Sequence, residues 1–330
     1  MNMLDIARVM SFSESEALQI GRRIILPSSF TNSLRYLQEC YQDAMSLVRK
    51  FGKPDIFNTM TCSPQDESIL AAIKPNQSPN DRPDIISRVF NKLKDQLIHE
   101  YVKEEIMGRV ICYIFVIEFQ KRGPPHMHAL FTLDREDKLR NGLDVDRLIS
   151  AEIPDFEEDP ILYNLVTKFH VHGPCGDLNP KSLCMVNDIC SKKYPKQFND
   201  TTIIDTNGYA IYKRPNNNRF VMKNGQQLDN RWIVPYNPYL LKRFHCHNNV
   251  EKVSDFEGVK YLYKYIYKGH DATTIVSKML KKMKTIKLLP MMKSKHSLIV
   301  DTLVHLKHVG DYLNLICKEK VILYKDYQFI

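Results

Sequence analysis

The sequence predicts an α+β fold, in which an antiparallel sheet is flanked by helices and carries a loop-rich insertion. Two amphipathic helices are predicted over 33–51 and 84–105, because apolar residues recur there at three- and four-residue spacing. Two strands are predicted over 110–119 and 126–133, and the turn QKRGPP between them favours a hairpin. The stretch 170–198 contains cysteine and histidine and shows neither the helical spacing nor the strand alternation of apolar residues. It is predicted to be irregular.

The boundaries of the elements around the hairpin are predicted from glycine, proline and serine residues that end helices and strands. GKP at 52–54 ends the first helix. DIFNTMTC at 55–62 is predicted as a strand, because β-favouring residues dominate it and SP follows it. Residues 134–160 are acidic and predicted as a loop, and 231–239 is predicted as extended chain interrupted by prolines.

The balance of charge favours a polyanionic partner. Lys and Arg number 47 against 38 Asp and Glu, a net charge of +9 with a pI near 9.0. This favours nucleic acid over acidic-metabolite chemistry or a neutral scaffold. The longest apolar run, 110–117, is far below the ~20 residues of a transmembrane helix, and no secretory pattern precedes it. We therefore expect a soluble intracellular protein with no membrane partner.

Two histidines and a glutamate on the predicted hairpin could hold a divalent cation. Because side chains alternate along a strand, His126 and His128 point to one face about 7 Å apart, and Glu118 lies on the preceding strand. Two imidazoles and a carboxylate leave coordination positions open, as a catalytic Mg²⁺ or Mn²⁺ requires. Lys121 and Arg122 in the turn could meet a phosphate. The alternative is a polar strand face, because so short a pattern is common.

Tyrosines interleaved with lysines form a second candidate element. The segment contains Tyr261, Tyr263, Tyr265 and Tyr267 among Lys260, Lys264 and Lys268. In a helix, Tyr261 and Tyr265 would share one face, and the lysines would form an adjacent stripe for a DNA backbone. A tyrosine can attack a phosphate and conserve bond energy in a phosphotyrosine ester. Gly269 favours a helix, but the alternation also fits a strand, and such segments also serve as passive stacking surfaces.

Several blocks of sequence, taken in order, resemble a known family. EFQKRGPPHMH, followed well downstream by KYLYKYIYKGHD, resembles the replication-initiator domain of Helitron transposases, members of the HUH endonuclease superfamily. HGPCGDLNP, CSKKYPKQF and NRWIVPYNPYLL are also similar to Helitron segments. The resemblance covers roughly residues 20–272.

The resemblance implies a HUH endonuclease-like antiparallel sheet with the histidine motif on a central strand. It assigns His126 and His128 as metal ligands, Glu118 as the acidic ligand, and Tyr261 and Tyr265 as paired nucleophiles. One tyrosine would cleave single-stranded DNA at transposon ends, keeping the 5′ phosphate and releasing a 3′ hydroxyl, and the second could support strand transfer. A nuclear location follows from this substrate.

The resemblance also divides the chain. We expect an irregular lead-in over 1–30, a nicking domain over 31–272 with a Cys/His-rich insertion at about 165–200, and a diverged basic tail over 273–330. The sequence contains no G-x-x-x-x-G-K-[ST] motif, which marks the phosphate-binding loop of an ATPase. We therefore expect a truncated copy without a helicase domain, so that helicase activity would have to be supplied in trans.

The cysteines in the insertion could form a structural zinc site. Cys175, Cys184 and Cys190, with His170 or His172 just upstream, supply three thiolates and one imidazole, which fill a tetrahedral Zn²⁺ shell. The spacing contains no C-x-x-C, so separate free thiols in an irregular segment are the alternative.

Two functions from different classes fit these features. The first is a single-stranded DNA nicking and joining enzyme of the two-tyrosine type. The second is a catalytically silent, zinc-stabilised DNA-binding protein descended from such an enzyme. A structural protein with a merely solvated basic tail is the third hypothesis, and the ordered family-like blocks disfavour it.

Overall fold

The computed structural model describes residues 29, 34–119, 124–206 and 208–253, together with three short strands further along the chain. The chain divides into two units, 1–39 and 40–330. In the first unit the structure describes residue 29 and the beginning of one helix. The elements discussed below, apart from that beginning, belong to the second unit.

The described residues form the following regular elements. The helices are α1 (Leu34–Phe51), α2 (Glu67–Ala72), α3 (Pro83–Val102), α4 (Gly142–Asp146), α5 (Pro160–Phe169) and α6 (Pro238–Phe244), with 3₁₀ turns at Pro79–Asp81 and Asn230–Trp232. The strands are β1 (Ile56–Thr61), β2 (Val110–Phe119), β3 (Pro125–Leu133), β4 (Met185–Val186), β5 (Ile189–Cys190), β6 (Ile203–Ile204), β7 (Ala210–Ile211), β8 (Phe220–Lys223), β9 (Gln226–Asp229), β10 (His247–Lys252), β11 (Ala272–Thr273), β12 (Met291–Met292) and β13 (Val321–Tyr324).

The ends of the long helices follow from local chemistry. Helix α1 ends where Gly52 takes φ +89° and donates its N–H to the Val48 carbonyl at 2.9 Å, a conformation that glycine adopts without steric cost. Helix α3 begins at Pro83, whose missing N–H is harmless in the first turn. It ends at Val102, a few residues before the predicted end, and Glu105 already lies in the left-handed region.

The central sheet is antiparallel and places β3 in its middle. Its strand order is β10-β1-β3-β2, and the short strand β13 pairs with the outer side of β2. Strands β2 and β3 form the hairpin that the sequence predicts, and β1 lies on the other side of β3. The predicted α+β class is confirmed.

One face of this sheet packs into the main hydrophobic core with α3. Alternate residues of β3 (Met127, Ala129, Phe131 and Leu133) belong to this core. Phe131 stacks on Tyr101 of α3 with ring centroids 3.9 Å apart. Because side chains alternate, His126 and His128 lie on the opposite face. The apolar pattern of β3 therefore fixes which way the histidines point.

Residues between β3 and β10 build a second core. It contains Trp232 and Ile233 together with apolar residues of α5, β8 and β9. Arg214, only 3% exposed, donates from Nη1 to the carbonyls of Asn230 at 2.6 Å and Ile233 at 2.7 Å. Burial of a guanidinium is costly unless it is hydrogen-bonded, and these bonds join two separate stretches of chain.

Two segments differ from the sequence prediction. The acidic stretch 134–160 contains α4, which begins with a reciprocal capping box between Asn141 and Asp144. The stretch 231–239 holds a 3₁₀ turn and the first residues of α6, capped by the Asn237 side chain. Both elements are too short to show a helical period, so only their caps could have indicated them. Among the residues that the structure describes, no helix is both long and apolar enough to cross a membrane.

Candidate metal centres

The register of the β2–β3 hairpin sets the geometry of the first candidate centre. Glu118 lies directly across from His126, and His128 lies across from Val116. Residues opposite each other in an antiparallel pair share a face, so the three polar side chains project from one side of the sheet. The two imidazole rings are nearly parallel, with centroids 6.3 Å apart. The Oε2 atom of Glu118 lies 3.7 Å from Nε2 of His128.

The histidine side chains are oriented by threonines of β1, which sequence reasoning missed. Thr61 is paired with His126 and Thr59 with His128. The Thr61 hydroxyl lies 2.6 Å from Nδ1 of His126, and the Thr59 hydroxyl lies 3.0 Å from Nδ1 of His128. When the hydroxyl accepts Nδ1–H, the lone pair resides on Nε2, the ring atom that a cation would then meet. The alternation in TMT could have indicated a polar strand face, but not its pairing with the histidines.

The three hairpin residues do not converge on one point in the structure. Across the parts of the chain that are described, one group of three or more ligating side chains comes together, with all ligand atoms within 4.8 Å of one another, and it is the cysteine group described below. The remaining candidates for the first centre lie outside the described residues. These are Lys121, Arg122, Lys260, Tyr261, Lys264, Tyr265 and Lys268.

The second candidate centre is the Cys₃His cluster, formed by His172, Cys175, Cys184 and Cys190. Their ligand atoms all lie within 4.8 Å of one another, and Cys190 Sγ is 3.4 Å from Nε2 of His172. This donor set could hold a metal ion such as zinc, since the chemistry and number of ligands fit a tetrahedral shell. The structure thus brings together four residues that sequence spacing alone left ambiguous.

A short hairpin and an anchored loop position these ligands. Strands β4 and β5 form the cysteine hairpin (residues 184–190), whose turn residues Asn187 and Asp188 both take positive φ, as a two-residue type I′ turn requires. On the other side, the N–H of His172 donates to the carbonyl of Trp232 at 2.8 Å. The imidazole also stacks on Tyr194 at a centroid distance of 4.1 Å. The second core therefore fixes the position of the loop that carries His172 and Cys175, which we call the ligand loop.

The structure also separates the two histidines that the sequence offered as alternatives. His170 is fully buried, its Nδ1 lies 3.3 Å from the Val234 carbonyl, and its Nε2 accepts the N–H of Asn248 at 3.2 Å. Both ring nitrogens of His170 are therefore occupied by contacts within the fold. Burial, followed by the proximity of His247, lowers the pKa of His170 well below its usual value and keeps the ring neutral. His172 is the histidine that joins the cysteines.

The surroundings of the Cys₃His cluster keep its imidazole in the neutral form that a metal ligand requires. Burial, followed by the charges of Lys223, Lys196 and Lys192, lowers the pKa of His172 to about 4, so the imidazole is neutral as a ligand must be. Burial and the neighbouring thiols raise the pKa of Cys175. Such a thiol ionises most readily when a metal ion replaces its proton.

The fold and these centres define a class of α+β protein that has an H-x-H strand beside a glutamate and a separate Cys₃His cluster. Residues 2–131 match the family described as the Helitron helicase-like domain at the N-terminus. The Helitron-like N-terminal domain that the sequence predicts is therefore confirmed over these residues. The match includes Glu118, His126 and His128 and ends before the Cys₃His cluster. Comparison with curated proteins finds no match.

Proposed function

We propose that this protein nicks single-stranded DNA and transfers the cleaved strand, as an initiator of rolling-circle transposition. The observation that carries the proposal is the placement of Glu118 directly across from His126, with His128 on the same face, inside the Helitron-like domain. Mixed carboxylate and imidazole ligands on adjacent strands are typical of a catalytic cation site. The substrate class also agrees with the net charge of +9.

The side chains of the first centre fit Mg²⁺ or Mn²⁺ by their chemistry. Glu118 would supply a carboxylate oxygen, and His126 and His128 would supply Nε2, because their Nδ1 atoms face the threonine hydroxyls. A bound cation would polarise the scissile phosphate and offset the charge that develops on the leaving oxygen. The side chains of Glu118 and His128 are 14% and 8% exposed, so the attraction between the Glu118 carboxylate and a bound cation would be weakly screened by water.

Tyr261 and Tyr265 are the proposed nucleophiles. The tyrosine Oη would form a bond to phosphorus while the bond from phosphorus to the 3′ oxygen breaks. The phenolic proton would pass to a base or to water, and the 3′ oxygen would take up a proton to become a hydroxyl. The 5′ phosphate would stay on the tyrosine as an ester, which conserves the energy needed for rejoining. Lys260, Lys264 and Lys268, with Lys121 and Arg122, would hold the phosphate backbone.

The Cys₃His cluster is proposed to hold a structural Zn²⁺. Three thiolates and one imidazole leave no open position, so this ion would support the fold of the insertion and take no part in cleavage. We further propose that the protein acts in the nucleus, where its DNA substrate resides.

The test is a covalent-adduct assay with the full chain. A labelled single-stranded oligonucleotide and Mn²⁺ should give a protein–DNA band on a denaturing gel. The band should disappear with EDTA, with His126→Ala, and with the double change Tyr261→Phe/Tyr265→Phe. The matched control is Tyr263→Phe/Tyr267→Phe, which alters the same segment and should retain the band. Absence of the adduct on every DNA sequence tried would contradict the proposal.

A second candidate function is a catalytically silent DNA-binding protein. The observation that favours it is that the Cys₃His ligands converge whereas the hairpin ligands do not, within the part of the chain that is described. This candidate expects DNA binding that is indifferent to Mn²⁺ and to His126→Ala, with no covalent band. The same gel, read beside a binding titration, therefore separates the two functions.

A further inference from the structure

We propose that the cysteine hairpin carries a second contact site for single-stranded DNA, separate from the nicking centre. We call its exposed residues the hairpin surface and define it as Leu183, Val186, Ile189, Lys192 and Lys193. The inference rests on the proposed substrate class, single-stranded DNA, but not on cleavage.

The apolar residues of the hairpin surface are exposed. Val186 and Ile189 are paired across β4 and β5, with 58% and 68% of their surfaces exposed, and Leu183, three residues before Val186, is fully exposed. Met185 and Cys190 form the neighbouring pair, and Cys190 is buried in the cluster. Because side chains alternate, the aliphatic pair lies on the face opposite to Met185 and Cys190. Grouped exposed aliphatics beside polar residues mark interaction sites.

The charge around these aliphatics is positive. Lys192 and Lys193 follow β5 after Ser191 and are exposed, and the Lys193 N–H donates to the Cys190 carbonyl at 2.8 Å. Within 181–193 the chain has three lysines and a single acidic residue, Asp188. Phosphate is therefore the complementary group, and lysine contacts to it release counterions.

The combination of exposed aliphatics and lysines favours a single strand over a duplex. In a duplex the faces of the bases are stacked on each other, and a protein meets mainly phosphates and groove edges. In a single strand the bases are free to lie on apolar side chains while the phosphates meet the lysines. Strands β4 and β5 have two residues each, and so short a hairpin would not be stable alone in water. The Cys₃His cluster therefore holds the hairpin surface in its conformation before DNA binds.

The experiment measures binding of the full chain to a fluorescein-labelled mixed-sequence oligonucleotide by anisotropy, without added Mg²⁺ or Mn²⁺. Lys192→Gln/Lys193→Gln should weaken binding about three- to tenfold, and should lower the salt slope of log Kd by about 1.4, since each single-strand phosphate contact contributes about 0.7. Val186→Ser/Ile189→Ser should weaken single-strand binding about threefold or more with an unchanged salt slope, because base contacts release no counterions. The same aliphatic change should leave binding to a duplex of the same sequence unaltered.

Matched controls use exposed lysines and exposed aliphatic residues outside the hairpin. Lys74→Gln/Lys92→Gln and Leu143→Ser/Ile161→Ser alter exposed lysines and exposed aliphatics, and should leave Kd within about twofold. Equal zinc content in all variants confirms that the hairpin remains folded.

Several outcomes would overturn the inference. These are an unchanged Kd in both hairpin variants, equal losses in the controls, no binding by the wild type, or a change in self-association in place of DNA binding. A failure of the covalent-adduct assay leaves this measurement untouched, because binding is scored without cleavage. The two proposals can therefore fail separately.

Discussion

The two candidate centres are built in opposite ways. Glu118, His126 and His128 lie on paired strands, so the pleat and the register fix their directions and keep the imidazole centroids 6.3 Å apart. The Cys₃His ligands come from a loop and a short hairpin, and their ligand atoms lie within 4.8 Å of one another. On the strands, the alternation of side chains fixes the direction of each ligand but does not bring the ligand atoms together. In the loop and the short hairpin, the ligand atoms come together, but the sequence there has no periodic pattern that would predict it. The next three experiments test this contrast.

The largest effect is expected from the cysteines. Cys184→Ser/Cys190→Ser should remove about one equivalent of zinc and destabilise the second core by several kcal/mol, given that structural zinc contributes about 10 kcal/mol or more in small zinc domains. Metal analysis and hydrogen exchange would measure this. Protection should fall over 170–200 and persist in the β2–β3 hairpin.

The control for this change is Cys112→Ser/Cys246→Ser, which alters cysteines that are buried but lie outside the cluster. Its zinc content should equal that of the wild type. Unchanged zinc in the Cys184/Cys190 variant, or a wild type that carries no metal, would contradict the proposed zinc site.

A smaller effect is expected from the glycines of the ligand loop. Gly173 and Gly176 both have positive φ, but a Cβ at Gly173 would lie 2.9 Å from the Trp232 ring, whereas a Cβ at Gly176 meets nothing within 4 Å. Gly176→Ala should cost about 1 kcal/mol for the backbone alone, and Gly173→Ala about 2–3 kcal/mol, because it adds the overlap with the ring. Chemical denaturation gives both values. Equal costs would mean that the Trp232 contact does not hold the loop.

The smallest effect is expected from the threonines behind the histidines. Thr61→Val keeps the shape of the side chain and removes the hydroxyl from Nδ1 of His126, so Mn²⁺ affinity should fall about tenfold. Thr61→Ser keeps the hydroxyl and should retain most of the affinity. Calorimetric titration with Mn²⁺ measures both. Similar affinities in the two variants would argue against a positioning role, and no Mn²⁺ binding by the wild type would argue against the cation site itself.

The sequence predicted the regular half of the molecule better than the irregular half. The hairpin and the helix α3 show clear periods, so their positions, and the shared face of His126 and His128, follow from pattern alone. The partnership of Thr61 with His126 could not be predicted, because strand order depends on contacts distant in the chain. The choice of His172 over His170 could not be predicted either, because it depends on the hydrogen bonds that both ring nitrogens of His170 make within the fold. The tyrosines lie outside the described residues, so their assignment stays a prediction.

The position of β10 has a consequence for any shortened form of the protein. This strand follows the whole insertion, yet it pairs along the full length of β1. A chain cut after residue 131, where the family match ends, would lose it. Strand β1 would then become an open edge whose unpaired backbone groups invite pairing with other chains. The buried Asn58 would also lose the Asn248 amide that it contacts. Such a fragment should aggregate, so strand β10 is needed for solubility although it supplies no ligand to either candidate centre.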